Sequence, residues 1–210
     1  MLIVAAGMPR SGSTWLYNAV RLMSAGSPGG PLVCGWVDDI GHRIGEESCL
    51  VKVHSYDAAM ADRADLIFYS YRDVRDSLAS QERSFGRPPT IEDARYFIEN
   101  DANWRACATH AMRYESFIED QSAELARIAA ALGLDAGATD LAEVKRELDA
   151  LSRGSGESQE DGYDKTNLFH KGHVTDGRHG SWRGALPEEL VGELEREFAG
   201  WFRANGYDLG

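Results

Sequence analysis

The stretch Leu2-Ile3-Val4-Ala5-Ala6-Gly7-Met8-Pro9-Arg10-Ser11-Gly12-Ser13-Thr14-Trp15 joins an apolar run to a turn bracketed by two glycines. Residues 2–6 are continuously apolar, which predicts a central parallel strand covered on both faces. Gly7 and Gly12 then stand at the spacing of a phosphate-cradling loop, G-x-x-x-x-G-[K]-[ST]. In such a loop backbone N–H groups at a helix amino terminus converge on an anion. Glycine lets the chain approach it without a Cβ clash. Ser13 and Thr14 add hydroxyl donors in the first turn. The lysine expected after the second glycine is Ser13 here, and the nearest strong cation is Arg10, inside the loop. A kinase or ATPase uses that lysine on the β- and γ-phosphates beside a magnesium ion. Its absence predicts a different phosphate ester.

Working outward, residues 13–23 predict a helix with Leu16, Ala19, Val20 and Met23 on one face. Residues 24–31 are a Gly/Pro/Ser loop. Cys49–Val53 and Leu66–Tyr71 predict two more strands, each followed by a helical segment, the second over 74–83. A long helix is expected over 91–112, a strand over 113–117, and further helices around Leu125–Leu132 and over 141–151. Residues 153–164 are Gly/Ser/acidic and predict a loop, and 165–184 are rich in Gly, His and basic residues. A last helix begins near Pro187, turns Leu190, Val191, Leu194, Phe198, Trp201 and Phe202 inward, and stops at Asn205-Gly206. Strands alternating with helices predict an α/β fold of three layers, a central parallel sheet flanked by helices and similar to P-loop NTPases, with residues 1–210 as a single domain.

Composition narrows the class. The 210-residue chain carries 22 Lys and Arg against 34 Asp and Glu, a formal net charge of −12. That disfavours nucleic acid or a polyanionic glycan as partner, while leaving room for one anion in a local basic pocket. Cys34, Cys49 and Cys107 form neither a disulfide framework nor a zinc pattern, which suits a reduced, cytoplasmic setting. No apolar run approaches membrane-spanning length, and residues 1–6 lack the basic region of a signal peptide.

The run from Pro9 to Trp15 resembles the 5′-phosphosulfate loop of sulfotransferases that use 3′-phosphoadenosine 5′-phosphosulfate (PAPS). The resemblance implies that Arg10 reaches the bridging and sulfuryl oxygens, that Ser11, Gly12, Ser13 and Thr14 hold the 5′-phosphate, and that Trp15 stacks on adenine. A core tryptophan is the other reading of Trp15. Arg72 ends a predicted strand and Ser80 follows eight residues later. The family holds the donor's 3′-phosphate with an Arg and a Ser at this separation, and a guanidinium suits a phosphate. The alternative is an exposed helix start where Asp73, Arg75 and Asp76 form surface ion pairs.

Lys52 and His54 alternate onto one face of their strand. By resemblance His54 is the general base and Lys52 stabilises the leaving phosphate. A structural histidine is the other reading. Gly177, Gly180, Trp182 and Arg183 resemble the family's late nucleotide-covering loop. The basic pair usual before its first glycine is Thr175-Asp176 here, which makes Lys171 and Arg178 the expected phosphate contacts. Tyr114 resembles a tyrosine that touches adenine, with core packing as its alternative.

His170, His173 and His179 lack supporting ligands, so no metal is expected. The implied activity is sulfuryl transfer from PAPS, leaving PAP, to a small-molecule or glycan acceptor. Trp36, Phe85 and Trp104, from segments 24–47 and 84–104, are candidates for lining its pocket or for the core. The rival class is a P-loop nucleotide or small-molecule kinase.

Overall fold

A computed structural model of the chain describes residues 1–25, 31–135, 139–153, 165–169 and 177–210. In chain order its elements are β1 (Leu2–Gly7), α1 (Ser13–Ser24), β2 (Val33–Trp36), α2 (Val37–Ile40), β3 (Cys49–Val53), α3 (Ala58–Arg63), β4 (Leu66–Tyr71) and α4 (Val74–Phe85). They continue with α5 (Ile91–Cys107), β5 (His110–Arg113), α6 (Tyr114–Glu119), α7 (Gln121–Ala131), α8 (Leu141–Arg153), α9 (Glu188–Glu197) and α10 (Ala199–Ala204). The five strands form one parallel sheet in the order β2-β3-β1-β4-β5.

Every residue of β1 is buried, as its unbroken apolar sequence requires. Alternation divides the side chains between two layers. Ile3 and Ala5 join Leu50, Phe68 and Met112 beneath α1, α7 and α8, whereas Val4 and Ala6 join Val51, Ile67 and Trp104 on the opposite face. A third apolar group lies around α4, α5, α9 and α10, with Met8, Leu78, Phe97, Trp182, Leu194 and Phe202.

The order places β3 on one side of β1 and β4 on the other. In open α/β sheets ligands bind at such a reversal, outside the carboxyl ends of the strands. Gly7, His54 and Arg72 stand at or just beyond those ends.

The boundaries differ from the sequence reading in four places. The long helix stops at Cys107, because Ala108 turns extended and the Thr109 N–H donates to the Ile67 carbonyl to begin β5. The strand expected over 113–117 is instead the end of β5 followed by α6, where Tyr114 and Phe117, three apart, share a buried helical face. A strand at Val33–Trp36 lies within the segment 24–47, where the sequence reading placed none. The last helix is broken at Phe198 into α9 and α10, yet ends at Asn205 before a left-handed Gly206, as expected.

Candidate active site

The loop after β1 is tied to β4. Met8 N–H donates to the Ser70 carbonyl at 2.8 Å, and the Ser11 hydroxyl lies 2.7 Å from both the Met8 carbonyl and the Ser70 hydroxyl. A Cβ on Gly7 would stand 2.4 Å from Ser70 Oγ and 2.6 Å from Ser13 Cβ, so only glycine fits. Arg10 and Gly12 both take left-handed backbone conformations. The turn they make leads into α1 without a side-chain cap and without an acidic residue in its first turn. Thr14 Oγ1 is buried and has no hydrogen-bond partner among the described residues. An uncapped amino terminus with an orphaned hydroxyl beside it fits an anion. Ser11, by contrast, directs its hydroxyl into the protein and shapes the loop.

Three cations surround this terminus. Arg10 Nε donates to Ser80 Oγ at 3.1 Å. Burial and the neighbouring Arg72 and Arg83 charges lower the Arg10 pKa. Lys52 is buried, with Nζ 4.9 Å from the centre of the Trp36 ring. Burial, and then Arg10, push its pKa down to about 7. Arg72 is buried, its guanidinium 4.1 Å from the centre of the Tyr114 ring. It donates to the Arg10 carbonyl at 3.0 Å and to the Arg178 carbonyl at 2.9 Å, while its Nε is buried without a partner among the described residues. The resemblance assigns Arg72 and Ser80 jointly to the 3′-phosphate; in the structure Ser80 Oγ accepts from Arg10 Nε.

His54 is half-buried, and its Nδ1 lies 2.6 Å from the Gly7 carbonyl. A carbonyl only accepts, so Nδ1 carries the proton and Nε2 keeps its lone pair. Burial and the Lys52 charge push the His54 pKa down to about 3. The Trp36 ring meets it edge-on at 5.2 Å, and Trp104 Nε1 donates to the His54 carbonyl at 3.2 Å. Trp104 is fully buried and belongs to the core, whereas Trp36 is half-buried against the Lys52–His54 face and Phe85 is exposed. Tyr96, not singled out in the sequence, reaches the same rim, with its hydroxyl 2.5 Å from Ser55 Oγ.

Trp15 is buried with its ring centre 4.4 Å from that of Phe117. Tyr114 is also buried, under Arg72 and beside Gly12. In the late loop Gly177 and Gly180 are left-handed, Arg178 meets Arg72 through its backbone, and Trp182 lies buried 4.1 Å from the Arg75 guanidinium. Lys171, together with Gly172, His170, His173, Thr175 and Asp176, falls outside the described residues. Among the described residues no group of three His, Cys, Asp or Glu side chains could hold a metal ion.

The charges at the start of α4 are not surface pairs. Asp73, Arg75 and Asp76 are all buried. Arg75 pairs with Asp73 at 2.7 Å and with Glu195 of α9, and donates to the Asp208 carbonyl at 2.9 Å. Glu115 accepts from Asp73 N–H at 3.0 Å, fixing α6 against the same turn. A cavity of about 360 Å³ beside this turn, lined by residues including Arg113, Glu115, Trp182 and Arg183, is separate from the Lys52–His54 face.

No known family profile matches the chain, and no curated protein matches its sequence. Solved structures do. Mouse sulfotransferase SULT7A1 complexed with PAP is 15% identical with a TM-score of 0.71, over 97% of this chain and 83% of that one. Retinol dehydratase in complex with androsterone and inactive cofactor PAP is 16% identical with a TM-score of 0.66, over 100% of this chain and 82% of that one. The same figures hold for retinol dehydratase with retinol and PAP. The chain therefore has the fold of PAPS-dependent sulfotransferases.

Proposed function

We propose that the chain is a sulfotransferase that moves a sulfuryl group from PAPS to a hydroxyl or amine of a small-molecule or glycan acceptor. One observation carries the reading: Arg10, Lys52 and Arg72 crowd an uncapped helix terminus in a protein of net charge −12, with Arg10 and Lys52 held below their ordinary pKa values. Asp76 offsets only one of the three, at Arg72, so like charges so gathered call for a further anion.

PAPS, when bound, supplies an activated sulfuryl group on its 5′-phosphate. The amides of Gly12, Ser13 and Thr14 and the Thr14 hydroxyl are suited to hold that phosphate. Arg72, Ser80 and the Arg178 segment are suited to the 3′-phosphate, with Trp15 and Tyr114 as adenine contacts. His54 Nε2 takes the proton of the acceptor O–H or N–H as the acceptor attacks. Lys52 and Arg10 stabilise negative charge on the departing phosphate.

Androsterone and retinol, in the retinol dehydratase structures, are apolar molecules bearing a hydroxyl. Trp36 beside His54 suits an acceptor of that kind. The three free thiols suit a reducing, intracellular setting, and no helix among the described residues is long and apolar enough to cross a membrane.

The test pairs binding with turnover. PAP at 100 times its Kd, without magnesium, is expected to stabilise the chain by about 2.7 kcal/mol, a rise in melting temperature of roughly 5–10 °C. ATP with magnesium is expected to give little. Labelled PAPS should transfer sulfate to members of an alcohol, phenol, amine and neutral-glycan panel. Stabilisation by ATP with magnesium and none by PAP would favour the kinase instead.

The Lys52 environment adds a pH dependence. With its pKa near 7, free Lys52 loses its charge as pH rises above that value. kcat/KM for PAPS, which reports the free enzyme, is therefore expected to fall above pH 7, by up to about tenfold per pH unit. Anion binding favours the cation, so the corresponding limb in kcat should lie at higher pH. His54, with a pKa near 3, adds no acid limb between pH 5 and 7. A kcat/KM that stays flat from pH 6 to 9 would remove Lys52 from its role.

A further inference from the structure

We infer that Asp76 is a positioning residue for the 3′-phosphate subsite, fixing Arg72 and the late loop together so that the chain distinguishes a 3′,5′-bisphosphate from a 5′-phosphate. The inference rests on the proposed donor site. Asp76 is buried in the first turns of α4. Its Oδ2 accepts from Gly180 N–H at 2.6 Å, and its Oδ1 accepts from Trp182 N–H at 3.0 Å and from the Ser181 hydroxyl at 3.2 Å. Oδ2 also lies 3.4 Å from Arg72 NH2, which donates to the Arg178 carbonyl at 2.9 Å.

One carboxylate thus holds three donors from consecutive residues of the late loop and the guanidinium assigned to the second phosphate. Left-handed backbone at Gly180 forms part of the turn that presents those donors. A buried carboxylate is tolerated only when charge-assisted hydrogen bonds and an opposite charge surround it, and removing one member of such a set disturbs the rest. Among the described residues Asp76 bonds to the late loop and to Arg72 and not to Gly12, Ser13 or Thr14, so the 5′-phosphate cradle does not depend on it directly. That separates its effect from a general loss of fold.

The experiment measures PAP and 5′-AMP binding by calorimetry in the wild type, Asp76→Asn and Ser181→Ala. Asp76→Asn removes the charge and one acceptor oxygen. It is expected to weaken PAP by roughly 10–100-fold and 5′-AMP by less than about twofold, collapsing the preference between the two ligands. Ser181→Ala deletes one donor to Asp76, together with the acceptor of an exposed Arg83 N–H at 3.3 Å, outside the phosphate cradle, and keeps the test meaningful if Asp76→Asn does not fold. It is expected to weaken PAP by roughly threefold and leave 5′-AMP unchanged. Equal weakening of both ligands, or of neither, in the folded variants overturns the role of Asp76. A wild type that binds PAP and 5′-AMP equally refutes the donor site itself.

Discussion

His54→Ala is expected to lower kcat by about 10²–10⁴-fold while PAP affinity stays within about twofold. Three contacts hold the residue. Nδ1 donates to the Gly7 carbonyl at 2.6 Å, Trp36 packs edge-on at 5.2 Å, and Trp104 anchors the His54 carbonyl at 3.2 Å. The Gly7 bond selects the tautomer with a free Nε2 lone pair, and burial beside Lys52 keeps the ring neutral through the working pH range.

The substitution also leaves the Gly7 carbonyl without that donor. The cost is about 1 kcal/mol, or a fall in melting temperature of roughly 2–4 °C. Single-turnover kinetics at saturating PAPS isolates the chemical loss, and added imidazole should restore part of it if the cavity admits the base. A kcat within about threefold of wild type would assign His54 to structure alone, and the proton acceptor would have to be sought elsewhere on the Trp36–Tyr96 rim.

The architecture was legible where a single stretch carried its own constraints. Residues 2–6 are continuously apolar, and Gly7 and Gly12 stand at the spacing of a phosphate-cradling loop, so the strand and the turn were legible in the sequence. Lys52 and His54 were legible because strand alternation puts both on one face. The short elements were not. Val33–Trp36 is an edge strand of four residues with a glycine inside it, too short for a period to register. Trp36 gains its meaning only from pairing opposite Lys52.

The charges of α4 were hidden for another reason. Nothing local says that Asp73, Arg75 and Asp76 face Glu195, Asp208 and Gly180 rather than water, because those partners arrive from the end of the chain. The spacing of Arg72 and Asp76, four apart, was the available local signal. It is equally common on exposed helices. At the last turn of α5 the residues Cys107 and Ala108 continue a helical composition, so only the pairing of Thr109 with Ile67 marks where the sheet resumes.

Arg72→Ala is expected to weaken PAP by at least about 100-fold and to destabilise the fold by about 3 kcal/mol. The two effects have separate origins. For stability, the side chain is buried and joins three segments. It bonds the Arg10 carbonyl of the first loop at 3.0 Å, bonds the Arg178 carbonyl of the late loop at 2.9 Å, and neutralises Asp76 at 3.4 Å. Removing one partner of a buried pair costs about 3–5 kcal/mol. The lower end applies because Asp76 keeps its three loop donors. In a chain of this length that is a fall in melting temperature of roughly 6–12 °C.

For binding, the guanidinium rests 4.1 Å from the Tyr114 ring centre with an unpartnered Nε among the described residues, a planar donor held in place before any phosphate arrives. Arg72→Lys separates the two. A lysine restores a charge near Asp76, so stability should recover in part. It lacks the planar fork, so PAP should still bind roughly tenfold more weakly, while 5′-AMP binding should change little. Denaturant midpoints report the first effect and calorimetry with PAP and 5′-AMP the second. If Arg72→Lys binds PAP as the wild type does, Arg72 clamps loops and touches no phosphate, and the second phosphate site must lie elsewhere.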